Sequence, residues 1–124
     1  MSENPLVHVK IEFEKLGETN VKIIYLAGRI TLANATEISK KIEKYFNDEN
    51  YNVIVDLEKL EYLDSRGMAI LLSLEKTVKE NKGIFILTKA NQFVHELFIL
   101  TSLSTYFTFS NNLDDARSNF LNKT

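Results

Sequence analysis

Leu63-Asp64-Ser65-Arg66-Gly67-Met68 sets a carboxylate, a hydroxyl and a guanidinium at three consecutive positions, between one apolar run and another. Upstream, Val53-Ile54-Val55-Asp56-Leu57 is short, β-branched and nearly all apolar, the composition of a strand buried on both faces. Downstream, the chain as far as Lys82 repeats its apolar positions with helical spacing. Ser65 therefore falls where a strand ends and a helix begins, the place where open α/β sheets expose functional atoms. Backbone N–H groups at such a turn tolerate an added anion. A serine there is a candidate nucleophile, phosphate ligand or phosphorylation target.

Other chemistries find less support. A nucleophile elbow needs glycine on both sides of the serine, and Leu63 occupies the upstream place. The two histidines, His8 and His95, stand at no metal-ligand spacing from a second ligand, so no metal site or cofactor is expected. Gly17, Gly28, Gly67 and Gly83 are scattered one to a turn and build no phosphate-cradling loop. Asp56, with Thr88 and Lys89 after the next strand, partly resembles a response-regulator receiver. That chemistry requires an acidic pair after the first strand to hold Mg²⁺. The first strand here runs into a hairpin and the second ends Leu26-Ala27-Gly28-Arg29, without a carboxylate. Asp56 is read as a strand-end turn residue and no catalytic residue is assigned.

The elements that must position Ser65 follow from periodicity. Val7, Val9, Ile11 and Phe13 alternate with polar residues, a half-buried strand. Leu16 to Asn20 is a turn, and Val21 to Ala27 a second strand, too close to the first for anything but antiparallel pairing. Asn34-Ala35-Thr36-Glu37 fits a capping box for a helix with the stripe Ala35, Ile38, Ile42, Tyr45 and Phe46. The strand ending near Leu57, the Ser65 turn and the second helix come next. Ile84 to Leu87 is a strand, and Asn91 caps a helix carrying Phe93, Val94, Leu97, Phe98 and Leu100. Tyr106 to Phe109 is a short strand, and Asn111 or Asn112 caps a last helix with Leu113, Ala116, Phe120 and Leu121. The order ββαβαβαβα predicts a single α/β domain whose sheet is mostly parallel, with Val53–Leu57 central and Val7–Phe13 antiparallel at or near an edge.

On the second helix Ile70, Leu71, Leu74 and Val78 cluster toward the sheet. Met68 and Leu72 fall about 100° from the centre of that cluster, beside Glu75, Lys76 and Lys79. That position predicts a protein-contact patch next to Ser65, the alternative being a core-facing arc wide enough to bury both.

The 124 residues carry 44% hydrophobic and 26% charged side chains, enough for one ordinary globular core. A net charge of -2, with both signs interspersed, gives no electrostatic case for nucleic-acid binding. The absence of cysteine removes disulfides, thiolate metal sites and cysteine catalysis. Met1-Ser2-Glu3-Asn4-Pro5 has neither a basic start nor an apolar signal core, and no run approaches membrane-spanning length, so a cytoplasmic protein away from membranes is expected.

Taken together, Val53–Leu57 and Leu63–Met68 resemble the signature of the anti-sigma-factor antagonists, the bacterial STAS domain: a strand, a short acidic connection, then Asp-Ser-(Ser/Thr)-Gly-(Leu/Ile) opening a helix. Leu26 to Ile30 is similar to that family's strand ending in Gly, and Glu96-Leu97-Phe98 with Thr101-Ser102-Leu103 to its third-helix pattern. The resemblance implies a phosphorylation-controlled partner switch. The unphosphorylated domain would bind an anti-sigma factor that is also a GHKL-type serine kinase, freeing a sigma factor or equivalent target. The kinase would phosphorylate Ser65, and a PP2C-type phosphatase would reset it. Asp64, Ser65, Arg66, Gly67, Met68, Leu72, Arg29 and Thr31 would form the partner-binding surface. The alternative is an unphosphorylated scaffold module in a larger assembly or transport system. Arg66 departs from the family's Ser or Thr, Met68 from its Leu or Ile, and Thr31 from the Asp common before the first helix.

Overall fold

The computed structural model describes residues 7–46 and 48–121. Strands β1 (Val7–Leu16) and β2 (Thr19–Ile30) form a long antiparallel hairpin, paired from Val7 with Gly28 to Leu16 with Thr19. The connection shrinks to Gly17 and Glu18, because Gly17 at φ +64° supplies the left-handed residue that so tight a reversal needs. Helix α1 (Ala35–Glu43), β3 (Val53–Leu63), α2 (Ser65–Glu80), β4 (Phe85–Thr88), α3 (Gln92–Leu100), β5 (Thr108–Ser110) and α4 (Leu113–Leu121) complete the expected order. The sheet runs β1-β2-β3-β4-β5, with only the β1–β2 pair antiparallel, so β3 is central and β1 an edge.

Sequential strands added in one direction fix where the helices go. Each parallel crossover is right-handed, so α1, α2 and α3 must all land on the same face. That face holds the main core: Ile24, Leu26, Val55, Leu57 and Leu87 of the strands meet Ile38, Ile42, Leu71, Val78, Val94 and Phe98 of the helices. On the opposite face α4 is the one described helix, with Ala116 and Phe120 over Val21, Ile23, Ile54 and Ile86. Arg117 of α4 reaches the edge strand through two bonds of 2.9 Å to the Glu14 carboxylate.

Several local expectations are corrected. β3 does not end near Leu57 but continues to Leu63. Beyond Asp56 it leaves β4 and follows β2 alone, from Ala27–Lys59 to Ile30–Leu63, through two register shifts. Leu60 and Leu63 stay buried while Glu58, Lys59 and Glu61 face outward, so the polar residues disguised a one-sided strand. Asp56 accordingly lies within β3, not at its end, and is buried. Asn34 precedes α1, but its side chain makes no helix cap. It turns back instead, accepting from the Thr31 N–H at 3.0 Å and donating to the Arg29 carbonyl at 2.9 Å, while Glu37 is exposed. Tyr45 lies past the end of α1 and is exposed, and Tyr106 lies before β5 and is also exposed. Asn91 and Asn112 do cap α3 and α4, each accepting a backbone N–H at 2.8 Å.

Candidate functional site

With β3 running to Leu63, a single residue separates strand from helix. Asp64 is extended (φ -99°, ψ -166°) and caps α2: Oδ1 accepts from the Arg66 N–H at 2.9 Å and the Gly67 N–H at 3.3 Å. Its second oxygen accepts from the Leu32 N–H at 3.0 Å, and its own N–H donates to the Ile30 carbonyl at 3.1 Å. One carboxylate thus ties the β2–α1 loop to the start of α2. Partial burial raises the Asp64 pKa, but the N–H bonds from Leu32, Arg66 and Gly67 outweigh it and hold the carboxyl below its ordinary value of 3.8.

Ser65 is the first residue of α2, exposed, and no hydrogen bond among the described residues restrains its hydroxyl. Arg66 beside it is exposed and forms no ion pair among the described residues. Gly67 is buried for a steric reason. A Cβ there would stand 2.7 Å from Leu63 Cβ and 3.1 Å from Ile30 Cγ2, so the first turn of α2 sits directly on the ends of β2 and β3. His95 packs edge-on against the Phe109 ring at 5.3 Å and makes no hydrogen bond to Ser65.

The ends of β2 and β3 bring Arg29, Thr31, Asp64, Ser65, Arg66 and Gly67 into one neighbourhood. Thr31 shapes the loop, its hydroxyl accepting from the Ala33 N–H at 3.2 Å. Met68 does not join this surface. It is 8% exposed and belongs to the main core, and Leu72 is half-buried against the same core. The buried arc of α2 is wider than expected: Glu75, expected on a charged rim, is buried, bonded to Lys79 at 3.0 Å. Its charge raises the pKa of Tyr106 from the α3–β5 connection.

Other residues form the exposed surface instead. Leu32, held by Asp64, is 65% exposed. The Arg29 guanidinium lies 4.7 Å from the Tyr62 ring centroid, and Tyr62 stacks on Phe93 at 5.9 Å. Phe93 itself is half exposed. This cation-and-aromatic ledge was hidden in the sequence because Tyr62 lay in an assumed connection and Phe93 in an assumed buried stripe. The available signal was the apolar Leu32 in a short polar loop.

The STAS domain profile matches residues 12–116. The chain belongs to the STAS domain family. Among curated relatives, the STAS domain is 23% identical to the anti-sigma-B factor antagonist of Listeria monocytogenes, over 85% of this chain and 91% of that protein. An anti-sigma factor antagonist from Mycobacterium paratuberculosis superposes with a TM-score of 0.80 at 22% identity, covering 96% of this chain and 97% of that one. The Bacillus cell fate determinant SpoIIAA in its phosphorylated form superposes with a TM-score of 0.64 at 18% identity, covering 90% and 99%. These likenesses show a shared fold. No described helix is long and apolar enough to cross a membrane.

Proposed function

We propose that this STAS domain is a phosphorylation-controlled partner switch. With Ser65 unmodified it binds an anti-sigma factor that doubles as a GHKL-type serine kinase, releasing a sigma factor or equivalent target, and a PP2C-type phosphatase resets it. The domain acts by binding and supplies no catalytic group. The observation that carries this reading is the Ser65 hydroxyl: exposed, unrestrained and first in a helix whose opening N–H groups are already capped by Asp64. The names of the relatives as anti-sigma factor antagonists, and the phosphorylated state recorded for SpoIIAA, support it.

The physics of the switch is local. A phosphate adds about -1.5 to -2 charges at neutral pH. At a helix N-terminus the folded domain tolerates that charge. Under a docked partner the dianion must be desolvated beside the Leu32 and Arg29–Tyr62–Phe93 surface, at a cost of several kcal/mol. Each ~1.4 kcal/mol is tenfold in affinity. Arg66 and Arg29 can neutralise part of the charge, so Arg66 tunes the depth of the switch.

The test uses a GHKL-type anti-sigma kinase from the same genome with ATP, mass-spectrometric site mapping, and affinity measured for both forms of the domain. Phosphate is expected on Ser65, with binding at least tenfold weaker after modification. Ser65→Ala takes up no phosphate and keeps its partner, and Arg66→Ser deepens the switch. Phosphate on Thr31 or Ser73 instead, or equal affinity of the two forms, overturns the mechanism; stable binding without any phosphorylation would mark a scaffold module.

A further inference from the structure

Among the described residues, the face opposite α1, α2 and α3 is incompletely covered. α4 has nine residues and spans about 13 Å, whereas five strands at ~4.8 Å spacing make a sheet roughly 20 Å wide. Beyond the N-terminal end of α4, at the carboxyl ends of the parallel strands, a groove of about 510 Å³ remains open. That volume lies within the range of small-molecule sites, and the carboxyl edge is where open α/β sheets bind ligands.

Its walls are built, not incidental. The Tyr25 ring, Ala27 and Leu113 give apolar surface. Asp56 lines the groove although it is only 5% exposed. One of its oxygens accepts from the Glu58 N–H at 2.8 Å, and no fully buried side-chain oxygen among the described residues is left without a partner. As a groove-lining carboxylate it offers acceptor positions to a ligand hydroxyl. Lysines surround it. Lys59 forms no ion pair among the described residues; Lys89 pairs with Glu58 at 3.2 Å, and Lys10 with Glu12 at 3.2 Å. Burial, then the Glu12 hydrogen bond, pushes the Tyr25 phenol up to about 12, so it stays neutral in the wall.

We propose that this groove is a second site, separate from Ser65, that binds a small hydroxylated organic anion of the polyol phosphate class. Hydroxyls of the ligand donate to Asp56, its carbon skeleton lies against Tyr25 and Leu113, and its anionic group meets Lys59 and Lys89. The combination matters: the lysines alone would take any anion, and Asp56 alone would repel one. Covalent phosphorylation of Asp56 is a different chemistry and lacks the acidic pair that would hold a divalent metal, since β2 closes Ala27-Gly28-Arg29-Ile30 without a carboxylate.

The experiment is an amide NMR titration of the whole chain with glucose 6-phosphate, ribose 5-phosphate and glycerol 3-phosphate, with glucose and inorganic phosphate as separate arms. At least one polyol phosphate is expected to saturate below ~10 mM, shifting the amides of Tyr25, Ala27, Asp56, Lys59 and Leu113. Glucose and phosphate alone are expected to bind at least tenfold more weakly. Asp56→Asn keeps the side-chain shape and the Glu58 bond, and should weaken binding about tenfold. Lys59→Gln, at an exposed position, should weaken it about threefold and flatten its salt dependence. Ser65→Ala should leave the titration unchanged, so its outcome is independent of the partner switch. No saturation by any of the three, equal response to inorganic phosphate, or unaltered binding by both variants overturns the site.

Discussion

Replacing Asp64 separates its two structural tasks. Asp64→Ala removes the acceptor for the Arg66 and Gly67 N–H groups and the acceptor for Leu32. Loss of an N-cap costs about 0.5–2 kcal/mol. The bond from Leu32 to a charged acceptor adds about 1 kcal/mol after allowance for its partial exposure. The sum is about 1.5–3 kcal/mol, or a melting temperature about 6–12 °C lower for a domain of this size. Asp64→Asn is the informative contrast. Asparagine caps helices as well as aspartate does, but it has one carbonyl oxygen, and its amide nitrogen would face the Leu32 N–H donor to donor. It should cost about 1 kcal/mol and move the Leu32 amide resonance while leaving those of Arg66 and Gly67 near their wild-type positions. Urea unfolding, thermal melts and amide NMR at pH 7 decide. The pH dependence gives a second check. The folded carboxyl titrates below 3.8, so its contribution is complete above the unfolded range near ~3.9 and is lost as pH falls through the lower folded value. Wild type and Asp64→Asn should therefore converge in acid. Equal stability of the asparagine and alanine variants, or a constant gap between wild type and Asp64→Asn down to strongly acid pH, would refute the two-task reading.

Met68→Ala should destabilise by about 2–4 kcal/mol in urea unfolding, because a core side chain is removed, and Leu72→Ala by about 1 kcal/mol from its half-buried place. Lys22 is fully buried, its ammonium bonded to Asp48 at 2.7 Å and to the Asn50 carbonyl, and 4.8 Å from the Phe46 ring centroid. Lys22→Met keeps the packing but strands the Asn50 carbonyl, and should cost about 1–3 kcal/mol; a change below about 0.5 kcal/mol would show that water replaces the ammonium freely.

The sheet order and the strand-to-helix turn were legible because they rest on periodicity and on adjacency in the chain. Ile54 and Ile86 point to one face while Val55 and Leu87 point to the other, so both strands read as unbroken apolar runs. What stayed hidden depends on contacts between distant segments. Nothing in Glu58-Lys59-Leu60-Glu61-Tyr62 announces a strand until β2 is seen to extend past β4 and pair with it. Met68 read as exposed on a helical wheel because the wheel omits every segment outside the helix, and in the fold Met68 joins the main core. Asn34 satisfied a capping pattern, yet the carbonyl of Arg29 and the N–H of Thr31 competed for its amide and won.

The succession of strands also bears on how the chain assembles. Position in the sheet repeats position along the chain, so each arriving strand finds its neighbour already in place at the growing edge. Each crossover closes a loop about one helix long and no segment must thread behind an earlier one, which limits the closure cost of a parallel sheet that is otherwise slow to form. The exception is the last step. Arg117 binds Glu14 across 103 positions of sequence, joining the final helix to the first strand. Until Ala116 and Phe120 of α4 pack there, Val21, Ile23, Ile54 and Ile86 lack their described cover, so an unfinished chain carries an adhesive stripe that its C-terminal helix masks.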